Sequence, residues 1–258
     1  MFYKYLSVES SRRFLDDINN QQIAFSCPAN FNDPFDCYIP VNGYSNPKEV
    51  VEQIKQNSLI AKINPDFFQK LAEQLINDPQ IQTDNLREHL RTWPLFCMSS
   101  EKSSNLMWAH YASKFAGVLV AFRETTNLWK KVEEDGRWPF RAMEVHYTNE
   151  RPNIILGKDH DNDFIRAILT KNINWKYESE WRVIGVSKTS QGKSWKEKIQ
   201  QNGRLFYKFD FDPVGVQEIV LGPSISAELE IEIRNRLRLL QHIQISKLSL
   251  DNQTYDLH

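Results

Sequence analysis

Cysteine is scarce in this chain of 258 residues: there are three, Cys27, Cys37 and Cys97. An odd number without a CxxC spacing suggests neither a disulfide framework nor a cysteine zinc site, and the expectation is three buried, reduced thiols. Net charge is also lacking. With 32 basic and 33 acidic residues the formal balance is −1, which argues against the global positive field that sequence-independent nucleic-acid binding needs, although a local basic patch is compatible with it. No window reaches the roughly 18 apolar residues of a membrane span, and Met1-Phe2-Tyr3-Lys4-Tyr5-Leu6 does not read as a secretion signal. A cytoplasmic protein without a membrane partner is expected. GxGxxG, GxxxxGK[ST] and GxSxG are all missing, so Rossmann dehydrogenase, Walker-type ATPase and α/β-hydrolase readings lose support.

Aromatic residues are plentiful, with 7 Trp, 15 Phe and 9 Tyr, enough for a sizeable core or an aromatic-lined pocket. No Ser/Gly/Pro-rich linker interrupts the chain, and one α+β domain over residues 1–258 is expected. Apolar alternation predicts a strand at residues 2–6, and helical spacing of Phe14, Leu15 and Ile18 predicts a helix over 9–19. Further strands are expected at 23–26, 95–98, 118–122, 142–147, 181–186, 205–209, 218–221 and 243–248. Helices are expected at 103–112, 161–171 and 224–240. Three more helical patterns, Pro47 to Leu59, Pro65 to Ile76 and Thr83 to Trp93, suggest a helical cap inserted over 47–93; the first two start with Asn followed by Pro, the order of an N-cap and N1.

Three segments carry chemistry. In Phe31-Asn32-Asp33-Pro34-Phe35-Asp36 the Asn and Asp side chains suit a turn stapled by side-chain to backbone bonds. In Ser103-Ser104-Asn105-Leu106-Met107-Trp108-Ala109-His110-Tyr111, Ser104 can cap a helix that carries His110 and Tyr111; His110 either reaches a pocket or is satisfied locally, and with no HxxxH or HExxH partner it suggests no metal. In Tyr177-Glu178-Ser179-Glu180-Trp181-Arg182, strand periodicity would send Glu178, Glu180 and Arg182 to one face. Together with Lys171 they form either an internal ion network or a site.

These segments, with Tyr3-Lys4-Tyr5, Phe25-Ser26, Pro28, Gly117, Tyr147, Lys171 and Trp175, resemble a widespread bacterial family known only as a domain of unknown function, with Asp36 standing where Glu is usual. A second resemblance is to ADP-ribosyltransferases: Ser104 and Tyr111 precede the strand at 118–122, and Glu180 opens a late strand with Glu178 two residues before it. That resemblance implies a mixed or antiparallel split sheet. It also implies NAD as cosubstrate, an acceptor macromolecule, and ADP-ribosyl transfer or NAD cleavage by a bacterial toxin or phage-defence protein. Glu180 would be the principal acid and Glu178 its helper, with Lys4, Tyr5, Asn32, Asp33, Ser104, His110, Tyr111, Lys171 and Arg182 contacting the nucleotide. The first strand departs from the pattern, since Tyr3-Lys4-Tyr5 stands where His or Arg is expected. The competing expectations are a nucleotide- or nucleic-acid-binding module without transfer, whose two glutamates would be neutralised by Arg182 or Lys171, and a partner-docking protein.

Overall fold

The computed structural model describes residues 1–44, 46, 48, 78–123, 142–152, 154–156, 165–185, 197–254 and 256–257. Among them the strands are β1 (Phe2–Leu6), β2 (Gln22–Phe25), β3 (Val41–Tyr44), β4 (Leu95–Ser99), β5 (Val118–Phe122), β6 (Met143–Glu144), β7 (His146–Thr148), β8 (Ile154–Leu156), β9 (Thr170–Asn172), β10 (Glu180–Ile184), β11 (Glu197–Gln201), β12 (Arg204–Asp210), β13 (Val216–Leu221) and β14 (Gln244–Lys247). The helices are α1 (Val8–Asn19), α2 (Pro79–Leu90), α3 (Asn105–Tyr111) and α4 (Ala227–Arg236). The chain forms two compact units, Met1–Asn30 with Trp93–Val145 and Asn174–His258, and Phe31–Thr92 with His146–Ile173.

The first unit is built on a seven-stranded sheet in the order β14-β13-β5-β1-β4-β10-β6. Only β13 and β14 pair in parallel within it, so the sheet is mixed and the class is α+β. One face carries Leu6, Val118, Val120, Phe122, Phe96, Met98, Val183, Ile219 and Leu221, which pack with residues of α1, α4 and the separate sheet β11-β12-β2 into the main core. The opposite face carries Tyr5, Leu119 and Val220, covered by Met107 and Trp108 of α3. β5 is buried at all five positions, as a central strand covered on both faces must be.

β1 and β4 share a single paired position, Tyr3 with Ser99, whereas β1 and β5 pair along all five residues. Near this short junction the Lys4 ammonium donates to the Cys97 carbonyl at 2.6 Å.

After α3 the chain makes three left-handed residues in succession, Ser113, Lys114 and Phe115, with φ of 48°, 53° and 68°. Each costs about 1–2 kcal/mol outside glycine. The turn is held by its backbone: the Phe115 N–H donates to Trp108 O, the Gly117 N–H to Ala112 O, and Phe115 O accepts from Ser224. Gly117 allows this route, because a Cβ there would stand 2.1 Å from the Leu6 carbonyl oxygen.

In the second unit β3 pairs with β8 and β7 with β9, both in parallel. α2 starts earlier than the expected 83–93. Asp78 accepts from the Gln80 N–H at 3.0 Å and Pro79 opens the helix, the same cap-and-proline signal read at the two upstream patterns. Those two, Pro47 to Leu59 except for Lys48 and Pro65 to Ile76, lie outside the described residues, as do 161–164 of the helix expected over 161–171 and the last residue of the strand expected over 181–186. That helix is seen over 165–168 and ends before Thr170, where β9 takes over. The single strand expected over 142–147 is two: β6 pairs with β10, and β7 with β9. The exchange happens because β10 begins only at Glu180, so residues beyond Val145 have no further partner on it.

Gly117→Ala should therefore destabilise the fold by roughly 1–3 kcal/mol or more, since the added methyl meets backbone that cannot rotate aside. Gly203→Ala, which has a positive φ but open space around it, should cost only the left-handed penalty of about 1–2 kcal/mol. Urea midpoints of the two variants check the ordering.

Candidate functional site

The Glu178-to-Arg182 segment is not one strand. Ile173–Glu178 is a 3-10 helix, Ser179 has a φ of 43°, and β10 starts at Glu180. The alternation argument therefore holds for Glu180 and Arg182 and fails for Glu178, because the left-handed residue resets the direction of the chain. Ser179 is fixed by its N–H to Lys176 O at 3.1 Å and by the Ser100 N–H on its own carbonyl at 3.0 Å.

Glu180 and Arg182 share the face of β10 that looks toward α3, since Glu180 pairs with Ser99 and Ser99 with Tyr3. The guanidinium grips the carboxylate with two bonds, Nε to Oε1 at 2.8 Å and Nη2 to Oε2 at 2.9 Å. Arg182 is completely buried and Glu180 is 5% exposed. Cys97 pairs with Arg182 across the strands; burial pushes its thiol pKa up, and the adjacent Glu180 carboxylate pushes the same way.

Glu178 is buried too, and its carboxylate accepts a hydrogen bond from the Tyr111 hydroxyl. One residue back along α3, the exposed His110 holds its Nδ1 2.9 Å from the Tyr177 hydroxyl. Two successive residues of the helix thus meet two successive residues of the 3-10 turn. The Tyr177 ring lies edge-on to His110 at 5.6 Å and tilted against Trp175 at 6.1 Å. The cluster is a carboxylate with a phenol on it, an imidazole, and aromatic faces beside them.

Other expected site residues fall elsewhere. Lys4 pairs with Val120 and leaves β1 on the main-core side, with its ammonium 4.3 Å from the centre of the Phe96 ring. Desolvation lowers its pKa, with the fields of Cys97 and Glu180 working against that. Tyr5 is buried, donates to Glu101 O at 2.9 Å and packs edge-on to Trp108. Burial raises its pKa, so the phenol stays protonated. Ser104 caps α3, accepting from the Met107 N–H. Asn32, Asp33 and Lys171 belong to the second unit. There Asp33 accepts from the Phe35 N–H at 2.9 Å, and Lys171 is paired with Asp36 at 3.3 Å, both nearly inaccessible.

Reading the residues alone missed Tyr177 as a member of this cluster, because a strand would have turned it away from Glu178. Glu218, paired with Ala121 on the α3 side of the sheet, was missed as well; it holds Lys102 at 2.8 Å and Ser246 at 2.7 Å.

Residues 107–183 are similar to the family described as Protein of unknown function (DUF2971). The DUF2971 segment starts inside α3 and ends inside β10, so both halves of the Tyr111–Glu178 and His110–Tyr177 contacts lie within it, as does Gly117. It bears out the resemblance to a family of unknown function. No curated protein and no solved structure matches the chain. Among the described residues no group of three or more His, Cys, Asp or Glu side chains could hold a metal ion, and no helix is long and apolar enough to cross a membrane.

Removing one half of the buried pair leaves the other charge uncompensated, at a cost of about 3–5 kcal/mol. Arg182→Ala should lose that much stability in urea. A double Glu180→Leu, Arg182→Met variant should lose clearly less, and equal losses would mean that the pair is not desolvated as a unit.

Proposed function

We propose that the first unit cleaves the nicotinamide–ribose bond of NAD and passes the ADP-ribosyl group to water or to an acceptor macromolecule, as in the ADP-ribosyltransferase-like reading of its motifs. The observation that carries it is the Tyr111–Glu178 hydrogen bond: a buried carboxylate, oriented by a phenol, on the same 3-10 turn that carries the rings of Tyr177 and Trp175. In this reading Glu178 is the acid that acts, and Glu180, held on both oxygens by Arg182, fixes the strand behind it. Nicotinamide leaves with the C1′–N electron pair, C1′ gains oxocarbenium character, and the Glu178 carboxylate stabilises it by bonding a ribose hydroxyl while the acceptor attacks C1′. Tyr177 and Trp175 supply ring faces for the departing heterocycle. His110, exposed beside Tyr177, is positioned to take a proton from an attacking nucleophile.

One observation favours a second reading, a nucleotide-binding module without transfer. The Glu180–Arg182 pair is what that reading expects, a glutamate neutralised within its own strand.

Nicotinamide release by the purified protein, with a bacterial lysate as source of acceptors, separates the two. Wild-type protein should release nicotinamide; Glu178→Gln should cut the rate by about 10²–10³-fold, and Tyr111→Phe should cut it less. Expression toxicity, as expected of an effector, should disappear with the same Glu178→Gln change. If folded wild-type protein releases none, transfer is ruled out. A rise in melting temperature with NAD would then place the binding-module reading in front.

A further inference from the structure

The second unit carries a surface that the reading above does not use. Phe35 stands at the end of the Asn32-Asp33-Pro34 turn and is 60% exposed. The turn is rigid despite that exposure: Asp33 accepts from the Phe35 N–H at 2.9 Å, the Asp36 N–H donates to Asp33 O and the Tyr38 N–H to Phe35 O, each at 3.2 Å. The Asp36 carboxylate is anchored on Lys171 in the interior.

Two arginines lie on the aromatic rings this turn presents. The Arg151 guanidinium is 4.3 Å from the centre of the Phe35 ring and 5.2 Å from that of Tyr38, and the Arg87 guanidinium from α2 is 4.8 Å from the same Tyr38 ring. Phe35, Arg151, Tyr38 and Arg87 therefore form a ladder in which rings and guanidinium groups alternate. Ion pairs of this unit include Arg91 with Glu88 and Lys171 with Asp36. Arg87 and Arg151 are in neither. A guanidinium engaged through its face keeps its in-plane N–H groups for an anion, to which it can give two parallel bonds.

We infer that this ladder binds single-stranded nucleic acid, with Arg87 and Arg151 holding backbone phosphates and the exposed Phe35 ring stacking a base. A free phosphate would use the arginines and leave Phe35 without a task. The carboxylates of an acidic peptide would engage the arginines but offer no flat ring to it. Unpaired nucleotides supply both parts, charge at the backbone and a π-face at every base, which is how sequence-tolerant single-strand sites work. The rigid turn means that little ordering entropy is lost when a base arrives. The ladder itself contributes two guanidinium charges, and Asp36 of the same turn is neutralised by Lys171.

The test is fluorescence anisotropy of the full chain with labelled oligothymidine and oligouridine of about twelve nucleotides, within the range of single-strand site sizes. Wild-type protein should bind, and binding should weaken as salt rises. The slope in log K against log salt should drop by about 1.4 in the Arg87→Ala, Arg151→Ala double variant, or roughly 0.7 for each phosphate that is no longer neutralised. Phe35→Ala should weaken binding about tenfold without changing that slope, because stacking releases no counterions. Arg151→Lys should keep most of the slope and lose affinity. The inference is overturned if wild-type protein does not bind at low salt, if these variants bind as well as wild type, or if polyglutamate competes as effectively as an unlabelled oligonucleotide. Nicotinamide release is measured on the same variants and should be unchanged, which keeps this result separate from the fate of the NAD reading.

Discussion

The first unit depends on a salt bridge that closes within one strand. Arg182 has no exposure at all and spends two of its five donors on Glu180, two residues away on the same face. Burying such a charge is tolerable only when the partner is held in good geometry, and strand periodicity supplies that geometry at no entropic cost beyond folding β10. The pair in turn requires β10 to begin at Glu180. The chain has to arrive there from a different direction, which the left-handed Ser179 provides. The 3-10 turn before it then delivers Glu178 to Tyr111 and Tyr177 to His110. The candidate site is a consequence of how the buried pair is entered.

That dependence marks where the sequence was readable. Strands at 2–6, 95–98, 118–122 and 218–221, and the helices α1 and α3, follow from periodicity because one face of each is buried against a continuous core. The two carboxylates were singled out correctly as a pair of buried acids. That Glu178 lies outside the strand was not there to be found, since nothing in Tyr-Glu-Ser-Glu-Trp announces a non-glycine left-handed residue, and a strand pattern continues through it without interruption. The same limit explains 142–147: hydrophobic alternation shows that the segment is extended, but not that its partner ends at Glu180. Lys4 failed for a simpler reason. Alternation puts it on the other side of β1 from Tyr3 and Tyr5, and a motif read as a string of residues hides that.

In the second unit the Phe31–Asp36 motif splits into inward and outward parts. Asp33 and Asp36 point into structure, one to its own turn and the other to Lys171, while Phe35 points out. An Asx-turn was the expected structural reading and accounts for Asp33 completely. It does not account for Phe35, because a turn needs no exposed ring beneath an arginine. A motif can be structural in most of its residues and still present the remaining one.

The placement of charge constrains what the α3 side of the sheet can bind. Across it run Glu218, Tyr3, Ser99 and Glu180 in register, with Lys102 committed to Glu218 and Arg182 to Glu180. Lys4, the cation expected to meet a phosphate, is on the other face. The row itself thus offers hydroxyls and carboxylates, and the neighbouring α3 and 3-10 turn add an imidazole, aromatic rings and the exposed Lys176 between Trp175 and Tyr177. Such a surface suits the uncharged end of a nucleotide, a ribose read through its hydroxyls and a heterocycle read through its face. Under the proposed NAD reading, the nicotinamide ribose would be the part placed at Glu178 and Tyr111. Its pyrophosphate would gain no cation from the Glu218–Glu180 row, because Lys102 and Arg182 are already engaged by those two carboxylates.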